Sequence, residues 1–430
     1  MRFLYSAALA LFAALAWPYF LVQGLRHGKY LRNFRARWGR LPDGLPAGGV
    51  IWLHAVSMGE VLACPRLVKE LKRRMPERRI VVSTITETGF QTAQKRLAAD
   101  GFFYCPFDFA FVVRRVLRQL RPALLVVVET ELWPNLFYEA RRGGVRLVVV
   151  NARISDRSFP RYRLFRTFFG QVLACADALL AQSDEDARRL RGIGAPAERI
   201  SVTGTLKYDL EEPARLPDWL DALLERWSAP GVLIAGSTAA GEEESVLDAF
   251  QLLRKRRASL RLMIAPRRPE RFDEVTRMAQ ARGLSVQRRS QLAPGAELQA
   301  DTVVLDSVGE LAAAYRHAAV VLVGGSLVSH GGQNPLEPAF HSRPMVAGPS
   351  MSNFREITEA LRAAGGILQI RSADELASQL ERLFSDPVAS REMGRRARAL
   401  LDASRGATDR TVHALEALLA AREAPQEVAW

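Results

Sequence analysis

The chain has 430 residues, 60 Lys and Arg against 46 Asp and Glu, 48% hydrophobic and 25% charged residues. Those fractions belong to a folded protein and exclude a disordered chain and a multi-span membrane protein, and at roughly 150 residues per domain the length suggests two domains. The net charge of +14 asks for a polyanionic partner, whether nucleic acid, an anionic membrane surface or a phosphorylated substrate.

Residues 3–23, FLYSAALALFAALAWPYFLVQ, carry no charge. As a helix they span about 30 Å, one hydrocarbon core. The following segment holds Arg26, Lys29, Arg32, Arg35, Arg37 and Arg40, with no acid before Asp43. A basic flank after the span places that side in the cytoplasm. A cleaved signal peptide is the rival reading, since Ala14-Leu15-Ala16 resembles a cleavage site. However, the apolar run continues past it, and Trp17-Pro18 is a poor new N-terminus. The expectation is an uncleaved anchor; Pro18 could instead lay the helix in the interface. The flanking arginines, interleaved with Tyr30, Phe34 and Trp38, would then sit at anionic head groups or form a solvated basic helix.

From residue 48, β-branched runs apolar on both faces alternate with amphipathic stretches, the pattern of parallel strands buried between helices. The runs are residues 49–56, 79–85, 123–129, 146–151, 178–183 and 200–204. Residues 211–230, punctuated by Pro213, Pro217 and Pro230, read as a linker. A second series follows at residues 231–237, 260–266, 301–306, 319–325, 343–348 and 366–370, and the tail to 423 reads as helices. The expected organisation is therefore an anchor and basic helix (1–40), a Rossmann-like domain (41–210), a linker (211–230) and a second Rossmann-like domain (231–423). Two doubly wound domains imply a cleft with ligands at the carboxyl ends of the strands, the GT-B glycosyltransferase pattern. No GxGxxG follows the first strand, and neither GxxxxGK[ST] nor GxSxG occurs. Dinucleotide oxidoreductases, P-loop NTPases and α/β-hydrolases lose weight accordingly. Cys64, Cys105 and Cys175 form no CxxC pair and the six histidines no HxH or HExxH, so inert thiols and no metal site are expected.

Candidate residues fall at the strand ends. The first strand runs into Ser57-Met58-Gly59-Glu60, making Glu60 either a general base or a helix-start carboxylate favoured by the dipole. Glu129-Thr130-Glu131-Leu132-Trp133-Pro134-Asn135 is a dense polar cluster, functional or a turn of paired acids. Asn151-Ala152-Arg153-Ile154-Ser155 ends the next strand, and Arg161, Arg163 and Arg166 then mix with five aromatics in residues 158–170. That stretch suits an anionic amphiphile or a membrane face, and equally an amphipathic core helix. Lys207 can hold a phosphate or a developing anion, or lie on the surface. In the second series, Gly236-Ser237-Thr238 precedes the acids Glu242, Glu243 and Glu244, as an anion site or ordinary capping. Arg267 ends a strand after Pro266, Val308-Gly309-Glu310 starts a helix, and Gly324-Gly325 allows close backbone approach to a ligand. A helix beginning near Asn334-Pro335-Leu336-Glu337 would point N–H groups at a phosphate.

Taken in order, LHAVSMGE (53–60), TETG (86–89), ETELWPN (129–135), NARIS (151–155), VTGTLKYD (202–209), APRRPERF (265–272), VGGSLVSHGGQNPLEPA (323–339) and GPSMSNF (348–354) resemble the 3-deoxy-D-manno-octulosonic acid (Kdo) transferases of lipopolysaccharide synthesis, over nearly the whole chain. The resemblance implies a GT-B fold, an N-terminal anchor and a place on the cytoplasmic side of the inner membrane. It also implies transfer from CMP-Kdo to the phosphorylated lipid A precursor (lipid IVA) with release of CMP and no metal or other cofactor. It further implies Glu60 as general base, Glu129 and Lys207 as transition-state stabilisers, and CMP contacts from Pro266, Arg267, Val308, Gly309, Glu310, Asn334, Pro335, Leu336 and Glu337. The alternatives are a related transferase using another nucleotide sugar, a membrane-tethered nucleic-acid binder, which lacks any recognised motif, and an idle scaffold.

Overall fold

The computed structural model describes residues 5–11, 15 and 34–423. Most of the expected anchor lies outside them. Residues 5–11 and 15 are helical, and among the described residues no helix is long and apolar enough to cross a membrane. The basic flank is described from residue 34, where Arg37 and Trp38 fold onto the first unit while Arg35 and Arg40 stay exposed. Arg37 donates to the Ile85 carbonyl beneath the Tyr104 ring, and Trp38 stacks on Phe109 at 5.7 Å. The guanidinium is drawn inward because Tyr104 and Phe107 offer π faces and Ile85 a carbonyl acceptor.

The chain forms two compact units, residues 1–211 with 404–430, and residues 212–403. The first holds β1 (Ile51–His54), β2 (Ile80–Thr84), β3 (Gly101–Tyr104), β4 (Leu124–Val128), β5 (Arg146–Ala152), β6 (Ala178–Ala181) and β7 (Ile200–Val202), in the order β3-β2-β1-β4-β5-β6-β7. The second holds β8 (Val232–Thr238), β9 (Arg261–Pro266), β10 (Val286–Arg288), β11 (Thr302–Val304), β12 (Val320–Val323), β13 (Met345–Ala347) and β14 (Leu368–Gln369), in the order β10-β11-β9-β8-β12-β13-β14. Every pairing in both sheets is parallel. Alternation along β1 shows why Ile51, Trp52 and Leu53 are all apolar: Trp52 enters the core on one face, and Ile51 and Leu53 the core on the other.

Strand order reverses between β1 and β4 in the first sheet and between β8 and β12 in the second. At such switch points the loops diverge and leave a crevice at the carboxyl ends. Glu60 follows β1 and Glu129 follows β4; Ser237 is the penultimate residue of β8, and Gly324 follows β12.

Two expected boundaries change. Residues 211–230 are no free linker, because helix Asp218–Ser228 buries Leu220, Leu223, Leu224 and Trp227 in the second unit, and the Trp227 indole donates to the Ala300 carbonyl at 2.8 Å. Residues 404–423 belong to the first unit rather than the second. Ala407, Val412, Leu415 and Leu419 join the core on one face of the first sheet. Buried Asp209 holds the start of that helix, accepting from the N–H groups of Gly406 at 2.7 Å and Thr408 at 2.5 Å. Arg74 pairs with Asp409 at 2.6 Å.

Asp209 thus caps a helix almost 200 residues later in the chain. Asp209→Ala should lower stability by roughly 1–2 kcal/mol, the usual worth of an N-cap, whereas Asp209→Asn should lose less. Urea unfolding of the full chain checks this, and equal midpoints for wild type and Asp209→Ala would refute the cap.

Candidate functional site

After β1 the backbone turns at Ser57, the N-cap of helix Met58–Leu62. Glu60 stands three residues on, the spacing at which a side chain folds back onto its own cap. Its Oε2 accepts from the Val56 N–H at 2.7 Å, and its Oε1 from the Ser57 N–H at 3.2 Å and the Ser57 hydroxyl at 2.8 Å. These donors favour the ionised carboxylate, yet Glu60 is only 6% exposed. Burial dominates and, with the charges of Glu129 and Glu131 adding to it, pushes the Glu60 carboxyl from 4.5 up to about 7. A carboxylate poised near neutrality is matched to proton abstraction.

Glu129 lies across the switch point and pairs with the Lys207 ammonium at 3.2 Å, both side chains about a quarter exposed. Its backbone is in the left-handed region at φ 59°, where a non-glycine residue is strained. Thus Glu60, Glu129 and Lys207, distant in sequence, meet at one sheet edge. Glu131 joins them, its carboxyl raised by burial and by Glu129. The remainder of the ETELWPN segment is structural. Asn135 is fully buried, and Asp108 accepts from the N–H groups of Asn135 at 3.0 Å and Leu136 at 2.7 Å at the start of helix Pro134–Arg142.

In the second unit the expected nucleotide segments fall in loops at the carboxyl edge, after β11 and β9, which are adjacent, and after β12, with β8 between β9 and β12. Pro266 ends β9; the Arg267 N–H donates to the Thr238 carbonyl at 3.0 Å and its guanidinium to the Gln333 side chain. This joins the loop after β9 to the Asn334–Glu337 segment. Asn334 Oδ1 accepts from the Leu336 N–H at 3.1 Å, and the charge of Glu337 raises the buried Tyr315 hydroxyl after desolvation does so. Helix Leu336–Phe340 is only five residues, so the expected phosphate-facing helix start is reduced to a short turn whose Leu336 N–H is already engaged. Val308 is 86% exposed and Gly309 has open space around it, while Glu310 is held by the Nε and Nη2 donors of Arg289, each at 2.8 Å. Arg267, Arg268 and His330 line a cavity of about 510 Å³.

The glycines near Ser237 and Ser326 have another cause than the ligand approach expected of them. A Cβ at Gly324 would lie 2.4 Å from the Gly236 carbonyl oxygen, and one at Gly236 1.9 Å from the Tyr315 hydroxyl. The anion site expected at Gly236–Thr238 is filled by the protein itself. Glu242, fully buried, accepts from the N–H groups of Ala239 at 2.8 Å, Leu327 at 3.2 Å and Gly325. Ser57 and Glu242 were missed as site-shaping residues. The Ser-x-x-Glu spacing was a usable signal for the first; Glu242, one of three consecutive acids, gave none.

No group of three or more His, Cys, Asp and Glu among the described residues is arranged to hold a metal ion.

The family model of 3-deoxy-D-manno-octulosonic-acid transferase (kdotransferase) matches residues 32–210. A 3-deoxy-D-manno-octulosonic acid transferase of Haemophilus influenzae is 32% identical over 97% of this chain and 99% of its own length. The crystal structure of the C-terminal CMP-Kdo binding domain of WaaA from Acinetobacter baumannii is similar at 30% identity and TM-score 0.40, covering 42% of this chain and 95% of that one. A putative UDP-N-acetylglucosamine 2-epimerase from Listeria monocytogenes shares the fold at TM-score 0.54 and 14% identity, over 89% of this chain and 100% of that one.

Because the fold favours the protonated Glu60, the stabilisation from this group is full below about pH 4.5 and is lost as pH rises to about 7. The loss amounts to roughly 3 kcal/mol over that window. Glu60→Gln, which cannot ionise, should show a flatter fall in melting temperature between pH 5 and 8 than wild type. Parallel curves would contradict a buried, raised carboxyl.

Proposed function

This chain belongs to the 3-deoxy-D-manno-octulosonic acid (Kdo) transferase family, and we propose that it transfers Kdo from CMP-Kdo to a sugar hydroxyl of the phosphorylated lipid A precursor, with inversion and release of CMP. The observation that carries this reading is the buried Glu60 carboxylate, poised near neutrality beside the Glu129–Lys207 pair. Glu60 takes the proton of the acceptor hydroxyl as its oxygen forms the new bond to the anomeric carbon. The bond from that carbon to the CMP phosphate breaks, and the electron pair leaves with CMP. One base suffices for inversion. Lys207 supplies a cation for the donor's own carboxylate, and Glu129 fixes that ammonium while offering negative charge to an electron-poor sugar. In the second unit, Arg267 is placed to offset phosphate charge, and Glu310 and Glu337 to accept hydroxyl donors from the nucleoside.

The same reading places the protein on the cytoplasmic side of the inner membrane, held by residues 3–23 and by a second contact. Helices Phe159–Leu164 and Arg166–Leu173 meet at Leu164 and Phe165, which are 77% and 59% exposed. Arg161, Arg163 and Arg166 are exposed around them, and no acid intervenes between Asp156 and Asp177. An apolar tip within a ring of cations suits an anionic bilayer surface.

The deciding assay is turnover of CMP-Kdo with purified lipid A precursor in detergent, EDTA present, the donor generated in situ. Wild type should release CMP and build the Kdo–lipid product. Glu60→Gln should be folded, bind CMP, and lose at least about 10²-fold in rate. A wild type that binds CMP without transfer would overturn the acceptor, and one that does not bind CMP would overturn the donor. Leu164→Glu combined with Phe165→Glu should slow transfer to acceptor presented in anionic vesicles several-fold and leave the rate in detergent unchanged; equal rates in both settings would remove the tip from the membrane contact.

A further inference from the structure

The loops after β4, β5 and β7 converge on one side chain that the chemistry above does not use. Asn151 is fully buried, and β5 carries one extra residue there: Val149 pairs with Leu179, and the register resumes only at Ala152 with Ala181. The bulge sets Asn151 at φ 55°, a left-handed geometry that asparagine tolerates better than other side-chain-bearing residues. Its carbonyl accepts from the Gln182 amide at 3.0 Å, and its Oδ1 accepts from the Leu206 N–H at 3.0 Å. Leu206 opens the single turn Leu206–Tyr208, whose next residue, Lys207, reaches Glu129 at 3.2 Å. On the neighbouring strand the Glu129 N–H donates to the Val150 carbonyl at 2.9 Å, one residue before the bulge. One short path therefore links both members of the ion pair: Glu129 through the backbone of Val150, and Lys207 through the side chain of Asn151.

We infer that Asn151 is a positioning residue, which acts through the Leu206 N–H to set the Lys207 ammonium against the Glu129 carboxylate. The inference rests on the assignment of Lys207 and Glu129 to the reacting centre. Two adjacent strand ends in left-handed geometry are costly, and such strain persists where surrounding contacts over-determine it. The amide has a further cost: Nδ2 is buried with no hydrogen-bond partner. Aspartate would supply the same acceptor without that orphan donor, but it would add a charge beside a pair whose balance depends on one carboxylate and one ammonium. Asparagine supplies the acceptor uncharged.

The test separates side chain from backbone. Asn151→Gly accepts the left-handed φ and lacks only the acceptor. The chain has six lysines, Lys29, Lys69, Lys72, Lys95, Lys207 and Lys255, so ¹³C-dimethylation of the full-length protein in detergent gives few signals. Lys207→Arg identifies the one that matters. In Asn151→Gly the Lys207 signal should move while those of Lys69, Lys72, Lys95 and Lys255 hold. The kcat should fall at least 10-fold, with KM for CMP-Kdo within twofold of wild type. Asn151→Asp should return the Lys207 signal towards its wild-type position. If the Gly variant melts too low to assay, Asn151→Ser, whose hydroxyl reaches less far, is read by the same two measures. An unmoved Lys207 signal, or a kcat within twofold of wild type, would overturn the inference. A wild type unable to transfer Kdo would sink the catalytic reading alone, because the lysine signal reports the positioning without turnover.

Discussion

Parallel pairing of β1 with β4 is the constraint on which the first unit's site depends. In a parallel sheet every strand delivers its following loop to the same edge, and the reversal of order between these two strands keeps their loops from covering each other. Glu60 and Glu129, 69 positions apart in sequence, thereby become neighbours whose charges act on one another. The sheet brings carboxylates together at a cost, since like charges in a half-buried edge oppose ionisation. Two devices contain that cost. Lys207 neutralises Glu129, and Glu60 accepts from three donors, the Val56 N–H and the N–H and hydroxyl of Ser57.

The second unit solves a similar problem the other way round. There, exposed backbone N–H groups after β8 and β12 would attract an anion, and the chain provides its own in Glu242. Glu243 beside it is equally buried and held by Arg271 at 2.9 Å. Two consecutive buried carboxylates, one satisfied by backbone and one by a guanidinium, brace the loops that flank Arg267. Removing either partner would leave a buried charge unpaired, which costs more than the pair contributes. Glu242 and Glu243 thus serve rigidity, which leaves Arg267, Glu310 and the Asn334–Glu337 turn as the candidates for recognition.

Most of this was legible in the sequence because buried parallel strands write themselves as unbroken β-branched runs. The sequence shows twelve runs, and fourteen strands are present among the described residues. The two missed, β3 and β10, lie at sheet edges. β3, Gly101–Tyr104, is a short aromatic run that opens on a glycine and has only two buried residues, so it lacks the β-branched signal, while β10, Val286–Arg288, is largely polar. The prolines around residue 217 outweighed the Leu220, Leu223, Leu224 and Trp227 stripe, and a helix was read as a linker. The return of residues 404–423 to the first unit could not be read at all, because it depends on Asp209 reaching a partner far along the chain. The candidate site was legible where chemistry resides in side-chain type, as at Glu60, Glu129 and Lys207, which the fold brings together. It was illegible where geometry resides in the backbone, as in the bulge at Asn151 and the glycines around Gly324, whose absent side chains make room for neighbouring strands rather than for a ligand.

The Ser57–Glu60 unit shows how one local motif can serve both fold and chemistry. As a reciprocal helix cap it satisfies backbone donors that would otherwise be orphaned at the start of Met58–Leu62. In the base role proposed for it, Glu60 exchanges a proton, and each proton it accepts weakens those same charge-assisted hydrogen bonds. A cap on a solvated helix would leave the carboxyl well below neutrality and make it a poor proton acceptor at working pH. Burial offsets the donors and moves the group to where both forms are populated. The residue is thus least settled in its structural role at the pH at which its chemistry is favoured, which follows from placing a cap at the carboxyl edge of a parallel sheet beside two other acids.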